Sequence, residues 1–387
     1  MQIRSKTGIL SSVKTCSWLA WGSIAVFINL IRFFPDWISK FYTHIIFHSM
    51  GIGLRAISSL IPFAIGELLY IIVVIYLLIN IIRWVSSIKK MNDFNEFWMP
   101  LMLNIVFWLL QVYVVFQLIW GLNYQQSNPA KQFNLIVASK YSEQEMNQLS
   151  LELITELNNT RLLLSESVKG ENEKVDTKFS KFSLKYIFER SIIEFKSISK
   201  QYPYLTYSIP DLKEALFPNW GDNLGYLAFY QPMTGEAIIR SDLPILVQPF
   251  TVCHEIAHQL GYASETEANF IAYVVASESK DPLFKYAMQL QLFSYSQQAQ
   301  LILIAKTGNF EKWKQVVARN KALLSPIVLK DRQFIKAFFA ERESKRVPGS
   351  EKIYDQFLRW NKQAKGIDSY NDVLLWALAY RKTPSTK

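Results

Sequence analysis

The sequence predicts a mainly α-helical protein in which N-terminal transmembrane helices precede a mostly helical α+β domain. Three observations predict it. Apolar residues crowd the first third of the 387-residue chain, and the remainder alternates polar breaks with leucine and isoleucine at helical spacing. One short stretch, "LGYLAFYQPMTGEAIIR", instead reads as two strands around a Pro-Met-Thr-Gly turn. It lies directly before a segment rich in histidine and glutamate, so a small β-hairpin is expected beside that segment's helix.

Crossing the hydrocarbon core takes about 20 apolar residues in a helix. Three segments qualify or come close, at about 15–34, 57–82 and 98–122. The clearest is "FWMPLMLNIVFWLLQVYVVFQLIWGLNY", where no charged residue occurs after Glu96 until Lys131 and aromatic residues sit near the ends as interfacial anchors. The second, "AISSLIPFAIGELLYIIVVIYLLINIIRWV", runs from Arg55 to Arg83 with Glu67 as its only charge, a carboxylate that marks a polar pathway, an interface or a helix contact. The first, "TCSWLAWGSIAVFINLI", is the shortest; "RFFPDWISKF" follows it, without the small-residue cleavage site of a signal peptide. Arg4, Lys6 and Lys14 lie before the first span and Arg83, Lys89 and Lys90 after the second, against mainly Lys40 and Arg55 between them. This bias predicts a cytoplasmic N-terminus. The chain then divides into a membrane domain, 1–125, and an extracytoplasmic domain, 126–387, on the periplasmic side of a bacterial inner membrane.

The formal charge of +10 comes from lysine and arginine scattered among acids, without a basic stripe or nucleic-acid motif. A lipid bilayer is therefore the expected partner and nucleic acid is not. The two cysteines, Cys16 and Cys253, have no zinc-finger or redox spacing and offer no disulfide framework. In the polar part, Ser142 three residues before Glu145 is a capping-box signature opening the helix "SEQEMNQLSLELITELNNTRLLLSES". "GENEKVDTKFSKFS" reads as an exposed loop, "SLKYIFERSIIEFKSISKQY" as a second helix, and long helical patterns return from Asp281 onward.

Residues 250–273, "FTVCHEIAHQLGYASETEANFIAY", carry the chemistry. His254 and His258, four apart on a helix, stack on one face and can converge on one metal ion. Glu255 lies beside the first of them and can reach a water at that metal, the position of a general base in zinc hydrolysis. The bland alternative is a buried helix whose histidines bond the backbone. His44 and His48 share the spacing but lack an adjacent glutamate, and read as membrane-proximal residues. Catalytic zinc usually takes three protein ligands, so one more must lie beyond His258. Gly261 can end the first helix in the left-handed conformation and let a second helix fold back, which brings Glu265 and Glu267 into question. Ser264 and Glu267 have capping-box spacing, whereas Glu265 has no such local job and shares a face with Asn269. Glu265 is therefore the expected third ligand, with Asn269 a candidate to orient a ligand.

"HEIAH" followed by "ETEAN" resembles the gluzincin arrangement of the Ste24 and HtpX-like membrane peptidases and the ImmA/IrrE-like peptidases. That resemblance implies a zincin-like domain, with the first glutamate of the second motif, here Glu265, as a ligand. The gap of six residues between His258 and Glu265 departs from the Ste24 type and argues for a compact site outside the bilayer. Over nearly its full length, through "WGLNY", "YQPMTGEA", "PFTVCHEIAHQLGYASETEANFIAY" and "SYNDVL", the chain is similar to a family of bacterial membrane proteins known as a domain of unknown function.

The expected function is a membrane-anchored zinc metalloendopeptidase acting on a peptide or protein substrate, with Zn2+ held by His254, His258 and Glu265 and Glu255 as general base. The strand "TGEAIIR" can pair with an extended substrate, as edge strands do, with a plain structural hairpin the equal alternative. Tyr226, Tyr230, Arg240 and Tyr262 are open candidates for stabilising an oxyanion. The alternative is a non-enzymatic membrane sensor or assembly protein with a zinc-binding domain. An intramembrane protease is excluded, because "RSDLPILVQPFTVCHEIAHQLGYASETE" is too polar and too interrupted by proline to span.

Overall fold

Proline and glycine set most of the breaks in the computed structural model, which describes residues 4–88, 94–168, 182–343, 345–349, 352, 356 and 370–383. Lys89, Lys90, most of the "GENEKVDTKFSKFS" loop and Ser369 of "SYNDVL" lie outside the described residues. The chain divides into two compact units. One comprises residues 1–50 and 65–127; the other comprises Gly51–Ala64 and Asn128–Lys387.

The first unit is helical. Helix α1 (Arg4–Ile31) packs on α5 (Phe94–Ile119), with the rings of Trp18 and Phe107 at 4.7 Å. After Ile31 the chain bends by 104° and resumes at Pro35. Proline is tolerated at a helix start because its missing N–H has no partner there. The short α2 (Pro35–Trp37) continues into π-helical turns at Ile38–Phe47 and then α3 (His48–Ser58). The expected first span is thus one arm of a longer, bent helical run. Helix α4 (Ile65–Ile88) begins later than the expected 57, because Pro62 falls in the turn that separates it from α3. Its outer surface is apolar, with Ile72, Val74, Tyr76 and Leu78 exposed, as a helix facing lipid requires. Among the described residues, two helices are long and apolar enough to cross a membrane, at Ile65–Arg83 and Leu101–Ile119, and the bent pair makes a third if it acts as one span. Glu67 lies buried in the first turn of α4, where the helix dipole favours a carboxylate.

The second unit is mostly helical around one large core. After the short α6 (Pro129–Gln132), capped by Asn128, comes α7 (Glu143–Val168). The capping box opening α7 is formed: Glu145 N donates to Ser142 Oγ at 3.1 Å and Ser142 N donates to Glu145 Oε2 at 2.9 Å. Helix α8 (Leu184–Ile198) follows, capped by Ser183. Strands β1 (Leu212–Glu214), β2 (Ala228–Gln231) and β3 (Glu236–Ile239), with α9 (Pro218–Leu224) between the first two, form a sheet in the order β1-β3-β2. The expected hairpin is β2–β3, antiparallel with Phe229 opposite Ile238. Strand β1, parallel to β3 with Lys213 opposite Ile238, is an addition that the sequence does not announce. It also corrects the substrate expectation: β3 is the central strand, both its edges are paired, and it has no ladder left for an extended peptide.

Helices α10 (Gln248–Gln259) and α11 (Glu265–Glu278) occupy the middle of this unit. Around them pack α8, α12 (Pro282–Ala305) and β2 and β3, while α13 (Phe310–Leu323) and α14 (Pro326–Glu343) continue outward and α15 (Tyr370–Lys382) closes on α11. Val252, Ile256, Phe270, Ile271 and Val274 are fully buried in the core. Each such side chain contributes about 1.5–3 kcal/mol on leaving water. The two helices that carry the motif are therefore held on nearly every side.

Candidate metal centre

Helix α10 presents its two histidines from an otherwise apolar barrel. Cys253, Ile256 and Ala257 point into the core and leave His254 and His258 on the remaining face, with ring centroids 4.6 Å apart and planes perpendicular. The helix ends as the glycine predicts. Gly261 has φ +98°, Tyr262 N donates to Ala257 O at 3.1 Å, and Gly261 N donates to His258 O at 2.9 Å. This pair of bonds is the Schellman pattern.

The turn delivers Glu265 to the histidines. Its carboxylate lies 3.2 Å from His254 Nε2 and 3.8 Å from His258 Nε2. One ligand atom from each of the three residues lies within 4.8 Å of the others, the one such His/Cys/Asp/Glu group among the described residues. Glu267, two residues on, is buried and is not part of that group. The side-chain cap expected from Ser264 is not formed. Ser264 takes the N-cap position of α11, but its side chain makes no capping bond; its backbone carbonyl accepts from Ala268 N at 2.9 Å and closes the first turn.

Both imidazoles are oriented from behind. His254 Nδ1 donates to Asn269 Oδ1 at 2.9 Å, and His258 Nδ1 donates to the carbonyl of Tyr262 at 2.7 Å. With Nδ1 donating, the neutral form of each ring presents its lone pair at Nε2. Tyr262 is itself anchored, its hydroxyl donating to Gln132 Oε1 at 2.8 Å.

Burial and the charges within the cluster set its protonation. Burial pulls His254 down, but the hydrogen bond and charge of Glu265 outweigh it and leave its pKa raised. His258 is pushed down to about 4 by burial and then by the charge of His254, so it stays neutral. Glu255 is pushed up to about 8, by burial first and then by Glu265, with His254 opposing. Its Oε2 has no hydrogen-bond partner among the described residues.

These residues fit a zinc ion. Ligands at about 2.1 Å in a tetrahedron lie roughly 3.4 Å from one another, and the two histidine–carboxylate separations, 3.2 and 3.8 Å, bracket that value. Two neutral imidazoles and a carboxylate are also a common donor set for zinc. The Glu265 side chain is 26% exposed against 13% and 9% for the histidines, so the cluster opens to solvent on its side.

Of the oxyanion candidates, Arg240 is committed elsewhere, 2.5 Å from Asp222 and 2.8 Å from Asp242, and the Tyr262 hydroxyl is taken by Gln132. Sequence reasoning missed Gln259, which is fully buried one residue past His258. Its Nε2 donates to Asp211 O at 2.9 Å and to Gly235 O at 2.7 Å, tying the end of α10 to the sheet. Its position directly after the motif is the one signal that could have marked it.

Fold and site together define a helical membrane protein with a partly buried His–His–Glu cluster in its second unit. The chain belongs to the family described as protein of unknown function DUF3810, whose model matches residues 42–378. Comparison with curated proteins and with solved structures finds no match.

Proposed function

We propose that this protein is a membrane-anchored zinc metallopeptidase. The observation that carries the reading is the convergence of His254 Nε2, His258 Nε2 and the Glu265 carboxylate, with both histidine tautomers set by second partners. A zinc ion held by these three residues would polarise a peptide carbonyl and acidify a water. The chain's own groups do the rest. Glu255, one residue from the first histidine and free at Oε2, takes the proton of the attacking water and passes it to the leaving amine. Asn269 and the Tyr262 carbonyl hold the imidazoles through the cycle. The substrate class is peptide or protein, and the bias of lysine and arginine beside the spans supports placing the unit on the periplasmic side of a bacterial inner membrane.

Metal content of the purified protein tests the reading. Wild type and Glu267→Ala are expected to hold one zinc per chain and Glu265→Ala to lose it. Glu255→Gln should keep zinc and lose hydrolysis in a peptide-library screen. Full turnover by Glu255→Gln would remove the glutamate from the mechanism, and a metal-free wild type would remove the reading altogether.

A further inference from the structure

Residues 51–64 lie in sequence between helices of the first unit yet belong to the second, and they carry its most deeply buried cation. Arg55 is completely enclosed. Its Nε donates to Ile209 O at 2.9 Å, one terminal nitrogen to Ser208 O at 3.1 Å, and the other to the carbonyl of Gln259, the last residue of α10, at 3.3 Å. The guanidinium lies over the ring of Tyr207, whose hydroxyl donates to Gln259 Oε1 at 2.5 Å. Gln259 is thus gripped at its backbone by Arg55 and at its side chain by Tyr207, Asp211 and Gly235.

The surroundings are shaped for this contact. Ile209 has φ +50°, a left-handed conformation that a β-branched residue keeps only when its neighbours impose it, and Arg55 holds its carbonyl. Gly235 has φ +77°, and a Cβ there would come within 3.1 Å of both Leu54 and Arg55 side chains. Ser58 lies against the Asp211 carboxylate and 2.9 Å from Thr234 O, while Lys213 pairs with Asp211 at 3.0 Å and donates to Ser58 O and Ile61 O. A buried polar network with so many bonds to one helix end fixes that end's position. A cation at a helix C-terminus also meets its partial negative charge.

We infer that Arg55 is a positioning residue of the His254–His258–Glu265 centre, setting the end of α10 through Gln259 and so the angle at which His258 faces the metal. The inference rests on the proposed metal site. Geometry decides between positioning and plain structural support: Arg161, equally buried and paired with Asp331 at 2.6 Å, serves as the structural control because it bonds α14 and not α10.

The full-length protein in detergent is loaded with cobalt(II), and the visible ligand-field spectrum, the zinc affinity by chelator competition and the melting temperature are compared. Arg55→Gln and Arg161→Gln should both melt lower, but only Arg55→Gln should change the cobalt spectrum and weaken zinc, by about ten-fold, the lower end for outer-sphere partners. Arg55→Lys, which keeps the charge and part of the donor set, covers the case in which Arg55→Gln does not fold; its spectrum should lie between the two. Added guanidinium ion should restore the spectrum of Arg55→Ala. A spectrum and affinity unchanged in Arg55→Lys and Arg55→Gln, or equally changed in Arg161→Gln, overturns the positioning role alone. Wild type that binds no cobalt overturns the metal site and this role with it.

Discussion

His258 Nδ1 donates to the carbonyl oxygen of Tyr262, four residues on, across 2.7 Å. The residue between them that makes this possible is Gly261, at φ +98°. Any other L-residue there pays roughly 1–2 kcal/mol for the left-handed conformation. Gly261→Ala is therefore expected to lower stability by about that much and to weaken zinc as well, because relaxation of the turn moves the Tyr262 carbonyl off the imidazole. Thermal unfolding and chelator competition on the same preparation check both; an unchanged zinc affinity would detach the turn from the site.

Asn269 stands to His254 as Tyr262 does to His258. Asn269→Ala should leave one zinc per chain but weaken it by about ten-fold, and Asn269→Asp, which keeps an acceptor oxygen, should retain most of the affinity. Equal loss in both variants would show that the acceptor is not what matters.

The core prediction concerns α10 itself. Ile256 is fully buried behind the histidines, and Ile256→Ala is expected to cost about 2–5 kcal/mol through lost burial and the cavity left behind. Denaturant midpoints measure it. A cost below 1 kcal/mol would mean that α10 is far less tightly held than its packing indicates.

Away from the site, Asp331 accepts from Arg161 Nε at 2.6 Å and from the Tyr286 hydroxyl at 2.8 Å. Removing one member strands the other charge in the core, so Asp331→Ala should cost about 3–5 kcal/mol. Zinc stoichiometry of whatever remains folded should stay at one.

Much of this was legible in the chain. The hairpin announced itself through paired apolar runs around Pro-Met-Thr-Gly, the end of α10 through Gly261, and the start of α7 through Ser142 and Glu145. These are local signals, set by residues a few positions apart. What could not be read depends on distant partners. Strand β1 has three residues, too few to show alternation, and exists because β3 offers it an edge. Arg55 looked like the boundary of an apolar segment, since nothing near it in sequence shows that its carbonyl partners lie about 150 to 200 positions away. Ser264 and Glu267 had the spacing of a capping box, yet spacing alone does not make the Ser264 side chain turn inward.

The membership of residues 51–64 in the second unit bears on how the chain is threaded. Ala64 and Asn128 are thus the points where the chain leaves and re-enters the same compact unit. Helices α4 and α5 lie between those points in sequence, so the pair is in effect an insertion into the unit that holds the histidines. A ribosome delivering this chain releases the first strap of that unit some 200 residues before the helix it secures. Gln259, the residue that this strap meets, does not yet exist when Arg55 emerges.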